Sequence, residues 1–199
     1  MQMDWHIIAA VVAGVLGIAS VVPYLYDMLK GTTRPNVVSW GLWFFIQATF
    51  VAAQWSSGAS YSIVLPLAGV LAVSLVVVLG LFGYGYKKYG LIDVVCFVLV
   101  IASIGLWKIT NDPTVALWLS IAADFIAAIP TLIKSYKDPA SETFLAYFIA
   151  ILASVATIFS TTLYDFPNLA WPIYIILANS FILSLILLGR KSKSRATSR

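Results

Sequence analysis

The chain is poor in most of what a water-soluble enzyme uses. It has one cysteine, one histidine and eight acidic residues among 199, and charged residues make up only 10% of it. Soluble domains carry about 25% charged residues, so no water-facing surface can be built from this composition. Cys96 has no second thiol to pair with, which excludes an intramolecular disulfide framework. His6 has no neighbouring ligand cluster, so no metal site is expected. No nucleophile–base pair, phosphate loop or ligand spacing occurs, and neither an enzyme nor a cofactor is expected.

What is abundant is apolar. Hydrophobic residues make up 61% of the chain, with a mean hydropathy of +0.96. The apolar runs are long and continuous, not alternating segments of about ten residues, which predicts an all-α integral membrane protein. Seven transmembrane helices are predicted at residues 5–29, 36–55, 60–82, 90–108, 114–135, 142–162 and 169–189. The breaks combine turn formers with charge, as in Gly31-Thr32-Thr33-Arg34-Pro35 and Thr110-Asn111-Asp112-Pro113. The opening Met1-Gln2-Met3-Asp4 is acidic where a signal peptide is basic, so the first segment is read as a span.

The net charge of +4 is distributed by topology, and no nucleic-acid partner is expected. With seven spans, the loops after the first, third and fifth share a side with the C-terminus. They carry Lys30, Arg34, Lys87, Lys88, Lys134 and Lys137, and the tail adds Arg190, Lys191, Lys193, Arg195 and Arg199. Only Lys108 falls on the other side. The positive-inside rule then places the N-terminus outside and the C-terminus in the cytoplasm, in an inner membrane. The tail at 190–199 is read as a topology anchor on a disordered end, with anionic lipid as an alternative partner.

A pattern recurs at an offset of 107 residues: Pro23 aligns with Pro130, Leu25 with Leu132, Lys30 with Lys137 and Trp40 with Tyr147. Spans 1–3 (residues 1–84) then form one copy and spans 5–7 (residues 111–189) the other. Three helices per copy is an odd number. The unmatched fourth span, in residues 85–110, lets both copies run parallel. Such a 3+1+3 plan places a pathway between two three-helix bundles.

This plan, with a proline near the inner end of spans 1 and 5, resembles the SWEET sugar transporters and the wider PQ-loop family. The pair that names the latter reads Pro23-Tyr24 and Pro130-Thr131 here, so the chain resembles a divergent bacterial-type member. The inner-loop proline typical of span 2 is Pro35, and its repeat mate is Glu142. The resemblance implies a transporter working by alternating access on a small polar solute, most simply a sugar. It also implies that an asparagine midway along span 7 touches the solute, which Asn179 matches. Ser74 is the nearest polar residue in span 3.

Asp124, near the middle of span 5, is the strongest individual candidate. A carboxyl group in hydrocarbon is costly unless it is paired, hydrated or protonated. It is therefore a candidate proton carrier or counter-ion to a cationic substrate, the alternative being an acid held by a neighbouring hydroxyl for architecture. Span 2 offers Trp40, Trp43, Gln47 and Gln54 at helical spacing, and the repeat pairs Gln47 with Ser154 and Gln54 with Thr161. Amides and hydroxyls would bond a polar solute and tryptophan would supply a flat wall, with Trp43 and Trp118 the deeper rings. Trp5, Trp55, Trp107, Trp171, Tyr84, Tyr86 and Tyr89 are assigned to interfacial belts. Pro23, Pro130 and Pro35 are read as hinges or gates. Asp93 is assigned a structural role beside Lys87 and Lys88.

Two other readings compete with the carrier. A seven-helix receptor or scaffold resembles the luminal-retrieval-signal receptors, but the predicted outer loops carry little charge beyond Lys108, Asp112 and Asp165. A proton-coupled amino-acid carrier is the other. The small-residue face of Ala10, Gly14 and Gly17 also suggests a homo-oligomer, which is compatible with transport.

Overall fold

The computed structural model describes residues 4–31, 34–87, 90–139, 142 and 144–197, with the side chains of Pro130, Lys134 and residues 193–197 outside that description. The described residues form seven α-helices: α1 (Trp5–Leu29), α2 (Val37–Ser56), α3 (Val64–Leu79), α4 (Leu91–Thr110), α5 (Pro113–Lys137), α6 (Phe144–Ser160) and α7 (Phe166–Thr197). A 3-10 turn, Tyr61–Ile63, leads into α3, and a π turn, Gly80–Tyr84, ends it. Among the described residues the one β contact is an isolated parallel bridge between Asn36 and Tyr86.

Half of the eight acidic residues are spent on helix starts. Asp4 accepts from the His6 amide at 3.0 Å, Asp112 from the Thr114 amide at 2.8 Å and Asp165 from the Asn168 amide at 3.1 Å. Asp93 accepts from the Gly90 amide at 2.8 Å at the head of α4. Each satisfies an amide that has no carbonyl partner within its helix and places negative charge at the positive end of the dipole. The Thr114 hydroxyl and amide hold the Asp112 carboxyl below the usual carboxylate range. Asn111, in the left-handed region at φ 53°, turns the chain out of α4.

Long apolar helices make this an integral, multi-pass membrane protein. Among the described residues five helices are long and apolar enough to cross a bilayer, α3 being counted with its flanking turns as Tyr61–Tyr84, and α5 joins them if its two segments, bent by 41° between Ile129 and Thr131, count as one span. The remaining helix, α6, has 17 residues. At 1.5 Å per residue it covers about 25 Å, short of the roughly 30 Å hydrocarbon core. Its shortness against the predicted 142–162 has a local cause. Thr161 turns its hydroxyl onto the Leu163 carbonyl at 2.8 Å and leaves the helical path.

In the packing, α3 lies against both α1 and α2, and α7 lies against both α5 and α6. The two groups meet where α1 packs on α6 and α2 on α5, while α4 covers α5 and part of α2. Gly14 and Gly17 face α3 closely: a methyl group on Gly14 would lie 2.9 Å from Val64 Cγ1, and one on Gly17 would lie 3.1 Å from Leu65 Cδ1. Ala10 is buried as well. The small-residue face expected to serve an oligomer is therefore occupied within the chain.

The tail also differs from expectation. Residues 190–197 continue α7 instead of forming a disordered end. Lysine, arginine and alanine are good helix formers, and positive charge is favourable at a helix C-terminus.

Candidate functional site

The two ends of the bundle are built differently. At the end bearing Arg34 and Lys87, here the basic end, α1, α2, α4 and α5 separate around a cavity of about 770 Å³. Tyr24 of α1, Trp40 and Trp43 of α2, Asp93 and Cys96 of α4, and Ala127 and Thr131 of α5 contribute to its walls. The mouth is held by backbone pairing: the Val37 amide donates to the Tyr86 carbonyl at 2.8 Å, and the Tyr86 amide to the Pro35 carbonyl at 2.9 Å. These bonds fix the loop before α2 against the loop after α3.

Inside the cavity the aromatic rings form a continuous wall. Tyr24 and Trp40 have centroids 4.9 Å apart, and Trp43 meets Trp40 edge-on at 5.2 Å. Asp93 faces the same space with both oxygens oriented. Its Oδ2 caps α4 through Gly90, while Oδ1 accepts from the Ser39 hydroxyl of α2 at 2.7 Å. Ser39 in turn accepts from Asn36 Nδ2 at 3.0 Å.

The opposite end is closed by a polar lattice. Asn168, at the start of α7, accepts on Oδ1 from the Ser62 hydroxyl at 2.5 Å and from the Ser60 amide at 3.0 Å. The Ser60 hydroxyl reaches the same oxygen at 3.3 Å. Gln54 Nε2 donates to the Pro167 carbonyl at 2.8 Å and to Ser62 at 3.2 Å. Ser60 also lies 3.3 Å from the Thr161 hydroxyl and accepts from the Thr162 amide at 3.3 Å. Asn168 Nδ2 is held by Asp165 at 2.6 Å. Gln54, Ser62, Thr161 and Asn168 are all essentially inaccessible to solvent. Beneath this lattice, Phe50 packs against Trp171 at a centroid distance of 4.6 Å.

The sequence-predicted residues divide sharply between these places. Trp43 and Pro35 line the cavity. Asp124 is not among its walls; Oδ2 accepts from the Tyr174 hydroxyl at 2.5 Å, so α5 and α7 are joined inside the bundle. Ser74 donates to Val70 O at 2.7 Å and Ser154 to Ala150 O at 2.9 Å, each within its own helix. Hydroxyls in hydrocarbon find this local acceptor readily, which explains them without a solute. Gln47 turns towards α3, where its Oε1 would lie 2.2 Å from a methyl group on Gly69. Asn179 is half-buried on α7, away from the cavity walls. Trp118 is 59% exposed and stacks on Phe166 at 4.5 Å, so it belongs to the outer surface and not to a pocket. Pro23 is accommodated within α1, while the side chain of Pro130 lies outside the described residues.

Three assignments from sequence change. Trp171, expected in an interfacial belt, is 3% exposed and fills the core between the groups. Tyr86, given to the same belt, lines the cavity, and Asp93 lines it as well as capping a helix. Residues missed altogether include Asn168, Ser60 and Ser62 of the lattice, Ser39 and Tyr174. Ser60 and Ser62 fall at the start of the predicted third span, and Asn168 follows Pro167 just before the seventh. Their partners lie more than 100 residues away and leave no local signal.

The His6 ring packs at a tilt against Trp5, centroids 3.8 Å apart, and among the described residues no group of metal-binding side chains occurs. No family model matches the chain, and neither a curated protein nor a solved structure matches it.

Proposed function

We propose that this protein is a carrier that moves a small polar solute across a membrane by alternating access. The observation that carries the reading is the contrast between its ends: a cavity open at one, a buried hydrogen-bonded lattice closing the other. A receptor or scaffold has no need of two ends built so differently. The order of packing also supports the reading. With α3 between α1 and α2, and α7 between α5 and α6, the groups pack in the same order, as two copies of the 107-residue pattern would. Repeats about an axis along the membrane normal are one way transporters build two gates around one site.

In the orientation favoured by the basic residues, the cavity opens to the cytoplasm and the Asn168 lattice closes the outside. The conformation is then inward-facing. Asp124 serves as a brace between α5 and α7, because its carboxyl oxygen is committed to Tyr174 and stands apart from the cavity walls. The amides expected to hold a sugar, Gln47 and Asn179, also stand apart, so the solute is better sought through Asp93 and the aromatic wall.

Reconstitution tests the carrier reading. Proteoliposomes should take up at least one solute from a panel of labelled sugars, amino acids and amines, with and without a pH gradient. If no solute crosses faster than in protein-free vesicles, the receptor or scaffold reading takes its place.

A further inference from the structure

The cavity at the basic end combines a carboxylate with aromatic surface, and that combination specifies a ligand charge. The geometry points to a binding subsite for an ammonium compound, a small molecule with a protonated amine on an apolar or aromatic body. Asp93 would meet the amine, and Tyr24, Trp40 and Trp43 the body. The inference rests on the carrier reading for why a solute should enter here, and it narrows that reading from polar solutes in general.

Four observations carry it. The cavity, about 770 Å³, is in the size range of small-molecule sites. Asp93 is more than a helix cap, because its Oδ1 accepts from Ser39 on α2, 54 residues away in sequence. Two donors orient the carboxylate and leave lone pairs free, since an ionised carboxylate can accept about four hydrogen bonds. Among the described residues no lysine or arginine lies within 4 Å of Asp93; Lys88 is outside them.

The fourth observation is the wall. Tyr24 and Trp40 at 4.9 Å, with Trp43 edge-on at 5.2 Å, put electron-rich rings on the wall of the same cavity as the carboxylate. Cations bind such faces, most strongly on tryptophan, and the attraction grows as water is removed. A sugar could also stack on these rings. However, Gln47 and Asn179, the amides expected to read its hydroxyls, lie outside the cavity walls, and the Asn36 amide on the wall already accepts from the Val38 amide and donates to Ser39. Arg34 on the same cavity leaves room for an amino acid, whose carboxylate it would take.

Binding to the full-length protein in nanodiscs tests this, with three compounds of matched shape: phenethylamine, neutral 3-phenylpropionamide and anionic 3-phenylpropionate. Glucose serves as a fourth probe, and quenching of tryptophan fluorescence reports occupancy. Phenethylamine should bind at least about tenfold more tightly than the amide, with the carboxylate weakest. Asp93→Asn should remove that preference, and Asp93→Glu should restore part of it. Equal binding of amine and amide to the unaltered protein overturns the inference even if the Asp93 variants fail to fold. So does a preference unchanged in a folded Asp93→Asn, or glucose displacing the amine while binding more tightly than it. Uptake of a neutral solute without amine binding would sink this inference and spare the carrier reading. Asp93-dependent amine binding without any flux would do the reverse.

Discussion

Tyr174 donates its hydroxyl to the Asp124 carboxyl at 2.5 Å and so ties α7 to the middle of α5. This bond gives the most isolated acid in the sequence a partner within the fold. An unpaired carboxyl group in hydrocarbon costs several kcal/mol, and leaving a buried acceptor without its donor typically costs about 1–3 kcal/mol.

Tyr174→Phe should therefore lower thermal stability in detergent, by an amount equivalent to about 1–3 kcal/mol. Asp124→Asn keeps the shape and a hydrogen-bonding capacity, so it should cost less. The double variant should lose less than the two single losses together, since one bond is removed once. Strict additivity in that cycle would show that the two side chains do not act as a pair. A brace, unlike a proton carrier, also leaves the response of transport to a pH gradient intact in Asp124→Asn.

The Asn168 lattice makes a second prediction. One oxygen collects three donors from Ser60 and Ser62, so Asn168→Ala strips all of them at once. On a Cys96→Ala background, a cysteine placed at Thr161 should be nearly inert to a water-soluble maleimide while the lattice is closed. Asn168→Ala should raise its labelling at least about tenfold, as expected if closure loses 1.4 kcal/mol or more. Equal labelling with and without Asn168 would mean that the lattice does not hold the end shut.

Gly189 marks where the end of α7 passes α5. A methyl group there would stand 2.4 Å from the Tyr136 carbonyl oxygen and 3.2 Å from Pro139 Cγ. The obstacle is backbone, which cannot rotate away. Gly189→Ala should destabilise by about 1–3 kcal/mol, the usual cost of overpacking, despite alanine's better helix propensity. A melting temperature at or above that of the unaltered protein would contradict the close approach.

The helical architecture was legible because its signals are local. Apolar runs demanded helices, and breaks such as Thr110-Asn111-Asp112-Pro113 and Tyr164-Asp165-Phe166-Pro167 marked where helices stop and start. The basic tail was misread because its polarity resembled disorder, although Arg190 to Thr197 has no helix breaker. The site was much less legible. Trp43 was found because α2 repeats aromatic and amide residues on one face. Gln47 shares that pattern yet turns to α3, since helical spacing fixes a face only to within a turn. Asp93 was assigned a structural role beside Lys87 and Lys88; instead it caps α4 through Gly90 and accepts from Ser39, and nothing in the spacing relates Asp93 to Ser39. Tyr174 and Asn168 were invisible for the same reason, with partners 50 and 106 residues distant.

The central claim is that the Asn168 end must open for a solute to cross. The most direct measurement is flux through protein cross-linked there, using cysteines at Ser62 and Asn168 on a Cys96→Ala background and a short thiol-cleavable linker. In proteoliposomes, uptake of whichever labelled solute the unaltered protein carries should fall to the protein-free rate when the linker is in place. It should return when the linker is cleaved. Full uptake through completely cross-linked protein would contradict the account.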